Sequence, residues 1–213
     1  MQKSRAFVLL LASCWFSLYA VSLGAQEWDD WDFYATDLYA RGDQTFTITV
    51  GTIMPTVFIG FNESGDRTGT IPHNFSPAVG GTISLAYTYF LGANLFLGGE
   101  LGVSFNYTLR RNTLFVVPFG LRAGWQFVFG TFEVPLLVTF GMARHSYMDA
   151  VYWGAFLRGG VSVFYRFSPE WSFGLNADWN WYPQRPRRDG QRIPAENVDA
   201  HILGISISAR YHF

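Results

Sequence analysis

The residues of this chain that could do chemistry are four histidines, a scatter of serines, and carboxylates set among apolar positions. His145, Ser146 and Asp149 stand close together and have the composition of a base, a nucleophile and an orienting acid. Side chains adjacent in sequence rarely face each other as base and nucleophile, so no catalytic residue is expected. His201 and His212 are a full strand apart, and no group of His, Cys, Asp and Glu has metal-ligand spacing. No metal and no cofactor is expected. What remains is charge at alternate positions: Glu100, Glu133 and Asp178 against Arg122, Arg158, Arg166 and Arg210. Charges of both signs on one side of apolar strands point to ion pairing in an interior rather than to a reaction centre.

The elements that must position these charges have a period of two. The chain ends with Ile205, Ile207, Ala209, Tyr211 and Phe213 alternating with Ser206, Ser208, Arg210 and His212. Leu85, Tyr87 and Tyr89 follow the same rule, as do Leu101, Val103 and Phe105, and Leu121, Trp125 and Phe127. The phase flips to even positions through Leu136, Val138, Phe140 and Met142. It then returns to odd positions through Val161, Val163 and Tyr165, and through Phe173, Leu175 and Trp179. With a weaker strand at Phe46, Ile48 and Val50, eight strands are predicted. Short links at 91–93, 130–131 and 168–170 alternate with longer ones at about 60–76, 108–113, 144–151 and 183–198. Aromatic residues gather at both ends of the apolar faces, and charged strand residues lie on the opposite face. This predicts an all-β, eight-stranded, antiparallel, up-and-down transmembrane β-barrel over residues 44–213 with interfacial aromatic girdles. A soluble β-sandwich or lipocalin-type barrel is the competing architecture. It would turn the apolar face inward and set charge outside.

Lys3 and Arg5, the apolar run from Ala6 to Tyr19, and the small residues Ser22 to Ala25 read as a secretory signal peptide over residues 1–25. A lipoprotein box ending at Cys14 competes with this reading, although the apolar run continues past Cys14. With the leader gone, the single cysteine is gone too, and neither disulfide nor thiolate chemistry is expected. Residues 26–43 form an acidic, aromatic segment, expected on the periplasmic side as an interfacial helix or a disordered lead-in. Setting Lys3 and Arg5 aside leaves 13 basic residues against 16 acidic, a net charge of −3, which excludes strong attraction to nucleic acid. All 13 are arginine, and nothing in the sequence accounts for it.

Strand parity turns Glu100, Arg122, Arg158, Asp178, Arg166 and Arg210 inward, where eight strands leave a lumen that side chains fill. A hairpin centred on Arg111 predicts Glu100 directly opposite Arg122. Tyr211 and the terminal Phe213 resemble the C-terminal signature that the barrel insertion machinery reads. Three prolines, Pro55, Pro118 and Pro135, fall inside strands and are expected to mark bulges or misplaced strand ends. Arg185, Arg187, Arg188 and Arg192 crowd the last loop, expected to be exposed and solvated.

The segment Val79 to Tyr89 followed by Leu95 to Gly102, together with the ending Ser208 to Phe213, resembles the OmpW/OprG family of small outer-membrane barrels. That resemblance implies a bacterial outer-membrane location and passive uptake of small, mostly hydrophobic solutes through a narrow lumen with a side opening. That channel is the expected function; the charged inward positions Glu100, Arg122, Arg158 and Asp178 keep an alternative open, a non-conducting structural or surface-interaction, adhesin-like barrel with a plugged interior. Expected partners are outer-membrane lipid, the barrel insertion machinery and, for a channel, small hydrophobic solutes.

Overall fold

A computed structural model describes residues 39–70, 79–107, 113–147, 150–185, 187–188, 191–192 and 197–213. Its regular elements are strands: β1 Gln44–Phe61, β2 Arg67–Thr70, β3 Gly80–Phe90, β4 Leu95–Tyr107, β5 Thr113–Phe129, β6 Phe132–Tyr147, β7 Ala150–Arg166, β8 Trp171–Gln184, β9 Arg187–Arg188, β10 Gln191–Arg192 and β11 Val198–His212. Each of β1, β3–β8 and β11 pairs antiparallel with its neighbours in chain order, and β11 pairs back onto β1. The sheet is thus a closed eight-stranded barrel. The short β2 folds back on β1, and β9 pairs with β10 in the last long connection. Closure leaves none of these eight strands with an unpaired edge, a requirement in lipid.

Alternation gives the wall two solvents. Ile205, Ile207 and Leu175 are more than 60% exposed, whereas Ser206, Ser208 and Arg210 on the opposite side of β11 are buried. Tyr87, Phe129, Tyr165 and Trp171 stand outward near the short turns, and Phe105, Tyr107, Phe115 and Trp153 outward near the long loops. A water-facing protein would place these side chains inside. Between Phe129 and Phe132 the link is Gly130-Thr131, with Gly130 in the left-handed region at φ 61°. This two-residue turn produces the switch from odd to even outward positions in β6.

Room for inward charges comes from small cross-strand neighbours. Glu100 faces Ala86 and Gly120, Arg122 faces Gly98, and Asp178 lies between Gly160 and Gly204. Phe96 lies over Gly124, and Phe164 over Gly174, so closely that a Cβ on either glycine would stand 2.4 or 2.6 Å from the ring. Aromatic cover of a strand glycine pins register while the missing side chain lets the sheet curl.

Three expectations require correction. Glu100 does not face Arg122, because β4 and β5 are paired two residues away from a hairpin centred on Arg111. A two-residue slip preserves which face each side chain takes but changes its partner. The link expected at 144–151 shrinks, because β6 runs to Tyr147 and β7 begins at Ala150. That extension puts Arg144 outward, between Val117 and Trp153, so not every strand charge lies on the inner face. The prolines divide. Pairing of β1 with β11 shifts between Pro55 and Val57, leaving Thr56 as the extra residue, and its hydroxyl donates to the His201 carbonyl at 2.9 Å. Pro118 and Pro135 interrupt a ladder without shifting it.

Candidate functional site: a lumen filled in three layers

The middle layer is built on Glu100 from β4. Its carboxylate pairs with Arg158 from β7, accepts from the Thr139 hydroxyl at 3.2 Å, and lies 3.9 Å from Arg122. Arg158 also donates from Nε to Asn180 Oδ1 at 2.6 Å and stands 3.9 Å from Asp178, which accepts from the Asn180 amide. Arg158 thus bridges two carboxylates, while Arg122 makes a longer ionic contact and has its guanidinium 6.0 Å from the Phe96 ring centre. Two small polar cavities, of about 40 and 20 Å³, border this layer and share Thr49, Ser84, Arg158, Asp178 and Ser206. Each is large enough for water, which needs roughly 10–15 Å³ of such space.

Toward the short turns the second layer centres on Glu133, which is fully buried. Its Oε2 accepts from Arg210 at 3.1 Å, Gln126 at 2.8 Å and the Tyr39 hydroxyl at 2.7 Å, and Arg166 lies 3.6 Å from Oε1. Arg210 also lies 3.7 Å over the ring of Phe164. Tyr39 precedes β1 and is 2% exposed. Its ring stacks on Phe90 with centres 3.9 Å apart, and its oxygen is 3.2 Å from His212 Nδ1. His212 Nε2 in turn lies 3.0 Å from the Ser172 hydroxyl. Burial pushes the Tyr39 hydroxyl above the ordinary phenol range, so it remains a donor to Glu133.

Toward the long loops the third layer is apolar. Ile53, Leu114, Val116, Phe156, Tyr182 and Ile202 form one buried cluster, against which Phe58 packs. The bulge at Thr56 turns Phe58 inward to join it. His145 is buried beside this cluster, stacked on Tyr152 with ring centres 5.0 Å apart and edge-on to Tyr182. His145 faces inward and Ser146 lies on the other side of the strand, so they do not form a nucleophile–base pair; Asp149 lies outside the described residues. At the rim, Arg185 pairs with Asp199 at 2.7 Å and lies 4.7 Å over Phe61. The side chains of Arg187, Arg188 and Arg192 lie outside the described residues.

Glu100, Arg122, Arg158 and Asp178 are thus brought into one layer, and Arg166 and Arg210 into another around Glu133. Tyr211 and Phe213 stand apart on the outer side at the short-turn end, their rings 5.0 Å apart and edge-to-face. Sequence reasoning missed Tyr39. Its signal was the Gly42-Asp43 turn just ahead of the first alternating strand, which sets Tyr39 over the barrel mouth.

Residues 26–211 match a protein-family model. An uncharacterized protein of Treponema pallidum (strain Nichols) is 30% identical over 115 residues, covering 54% of this chain and 52% of that protein. The chain therefore spans about half the length of the curated relative it matches. Among solved structures, Neisserial surface protein A (NspA) is similar with a TM-score of 0.59 at 12% identity, covering 81% of this chain and 99% of that one. The outer membrane protein OprG from Pseudomonas aeruginosa is similar with a TM-score of 0.50 at 11% identity, covering 82% and 97%. The chain belongs to the family whose model spans residues 26–211, and its fold is that of the small eight-stranded outer-membrane barrels.

Proposed function

We propose that the protein is a closed-lumen barrel of the bacterial outer membrane that acts through its wall and loops, as a structural or surface-interaction protein, rather than by passing solute. The observation that carries this reading is the lumen: an apolar cluster, an ion-paired layer and the Tyr39–Glu133 layer stand in series. Export uses residues 1–25 as a cleaved leader, and the family match beginning at residue 26 supports that boundary. The exposed Phe213 ring, packed on Tyr211, supports its role as the insertion signal. The test is conductance. Refolded protein that shows a heat-modifiable band and β-type circular dichroism is expected to give no persistent channel in planar bilayers. Steady unitary currents would overturn the reading.

One observation favours the second reading, an OmpW-like channel for small, mostly hydrophobic solutes. A lipid-facing hollow of about 620 Å³ lies over Gly99, walled by Leu85, Leu101, Phe119, Leu121 and Phe140. It supplies an apolar surface site where a side opening would stand. Uptake of an alkane into liposomes dependent on the folded protein would favour this reading over the closed barrel.

A further inference from the structure

Tyr39 is held as a ligand is held. The backbone first aims it: Ala40 N–H donates to the Asp43 carboxylate at 2.7 Å, and Asp43 N–H to the Ala40 carbonyl at 3.3 Å. Gly42 turns the chain at φ 107°, and its N–H donates to the Phe90 carbonyl at 3.0 Å, while Phe90 N–H donates to the Asp43 carbonyl at 2.9 Å. This turn is clamped to the end of β3, directly over the mouth. The ring then stacks on Phe90, with the Arg166 guanidinium 5.9 Å from its centre. At the far end the hydroxyl meets a buried carboxylate and an imidazole nitrogen, Glu133 and His212. A flat slot with the Phe90 ring on one face, the Arg166 guanidinium near the ring, and a carboxylate and an imidazole at its base is complementary to a p-hydroxyphenyl group, face and hydroxyl alike.

We propose that the short-turn mouth of the barrel is a binding site for a p-hydroxyphenyl group, that Tyr39 fills it from within the chain as a stopper, and that a small phenol takes the same place once the tyrosine side chain is removed. The site concerns one end of the lumen and stands whether or not the barrel conducts. Beyond the backbone that joins it to β1, the stopper is retained by the turn, the stack and the two polar contacts.

The test uses the full chain with Cys14→Ser and Thr88→Cys, refolded in detergent, so that the introduced thiol is the single one. Thr88 is buried and inward, two residues from Phe90 on the same side of β3. The readout is the rate of modification by a small, charged, water-soluble thiol reagent. With Tyr39 intact, modification is slow. A hydroxyl donated to a charged group corresponds to about ten- to a hundredfold in occupancy, so Tyr39→Ala is expected to speed modification by at least that much. Millimolar p-cresol is expected to restore the slow rate in Tyr39→Ala, and toluene, with the ring but no hydroxyl, to restore far less. An unchanged rate in Tyr39→Ala overturns the stopper. A rate that p-cresol does not slow, or that toluene slows equally, overturns the phenol site. Should Tyr39→Ala yield no heat-modifiable band, Tyr39→Phe decides: it retains the stack, and a rate equal to that of Tyr39 rules out a role for the hydroxyl.

Discussion

Glu100 shows how much a single inward carboxylate has to satisfy. It pairs with Arg158, lies farther from Arg122, and accepts from Thr139, all where water has little access. Losing one partner of a buried pair costs on the order of 3–5 kcal/mol, because the other charge is left uncompensated. The contacts predict unequal sharing. In double-mutant cycles followed by urea unfolding in detergent, Glu100→Gln with Arg158→Met should show a coupling of about 2 kcal/mol or more, and Glu100→Gln with Arg122→Met less than about 1 kcal/mol. Equal couplings, or the reverse order, would contradict the observed pairing. The inward facing of both arginines was legible from parity, since a two-residue period leaves no other choice. Their partners were not. A slip of two residues between β4 and β5 leaves the hydrophobic pattern intact, so the pattern does not fix which residues stand opposite each other. Arg158 sits on β7, three strands from Glu100 in the sheet, and its approach across the lumen depends on barrel curvature that no local pattern encodes.

At the scale of elements, strand identity was readable and strand ends were not. Alternation survives wherever one side of a strand meets lipid and the other meets polar side chains, and this marked all eight barrel strands. It fades at the loop end, where the interior itself becomes apolar around Leu114, Val116 and Phe156. There β6 and β7 run on into what reads as a loop. The β1 bulge has a similar cause: Pro55 signals trouble in the ladder, but it does not say that the side chains beyond Thr56 change sides. Deleting Thr56 should turn Phe58 out of its cluster, lowering stability by about 2–4 kcal/mol, comparable to emptying a buried aromatic position. An unchanged urea midpoint would show that the bulge is dispensable. β11 carries a second element-scale prediction. Phe213 is 69% exposed, its N–H donates to the Gln44 carbonyl and its ring meets Tyr211 edge-on, so it contributes little burial, one backbone contact and one surface ring contact to the folded barrel. Its deletion should cut the amount of barrel inserted in cells far more than it lowers the stability of refolded protein. Equal losses in both assays would mean that the residue acts through stability and not as an insertion signal.

For the whole molecule the decisive property is that its seals stand in series. The polar cavities around Arg158 and Asp178 lie between an apolar cluster on one side and the Tyr39–Glu133 layer on the other. A leak through such a barrel requires both ends to open, so the effects of opening them cannot add. Tyr39→Ala should expose the inner side of the short-turn mouth yet leave liposomes tight, because Ile53, Phe156, Tyr182 and Ile202 still close the other end. Phe156→Ala should likewise leave them tight while costing about 3–5 kcal/mol in stability from the cavity it creates. The double variant should release a small ion such as chloride from loaded liposomes at a rate well above the sum of the two single variants. Permeability of either single variant equal to that of the double would mean that one of the two layers is no barrier. Tight liposomes for the double variant, with a heat-modifiable band showing that it is folded, would make the ion-paired middle layer a seal in its own right. Glu100 and Arg158 would then be the residues to remove next.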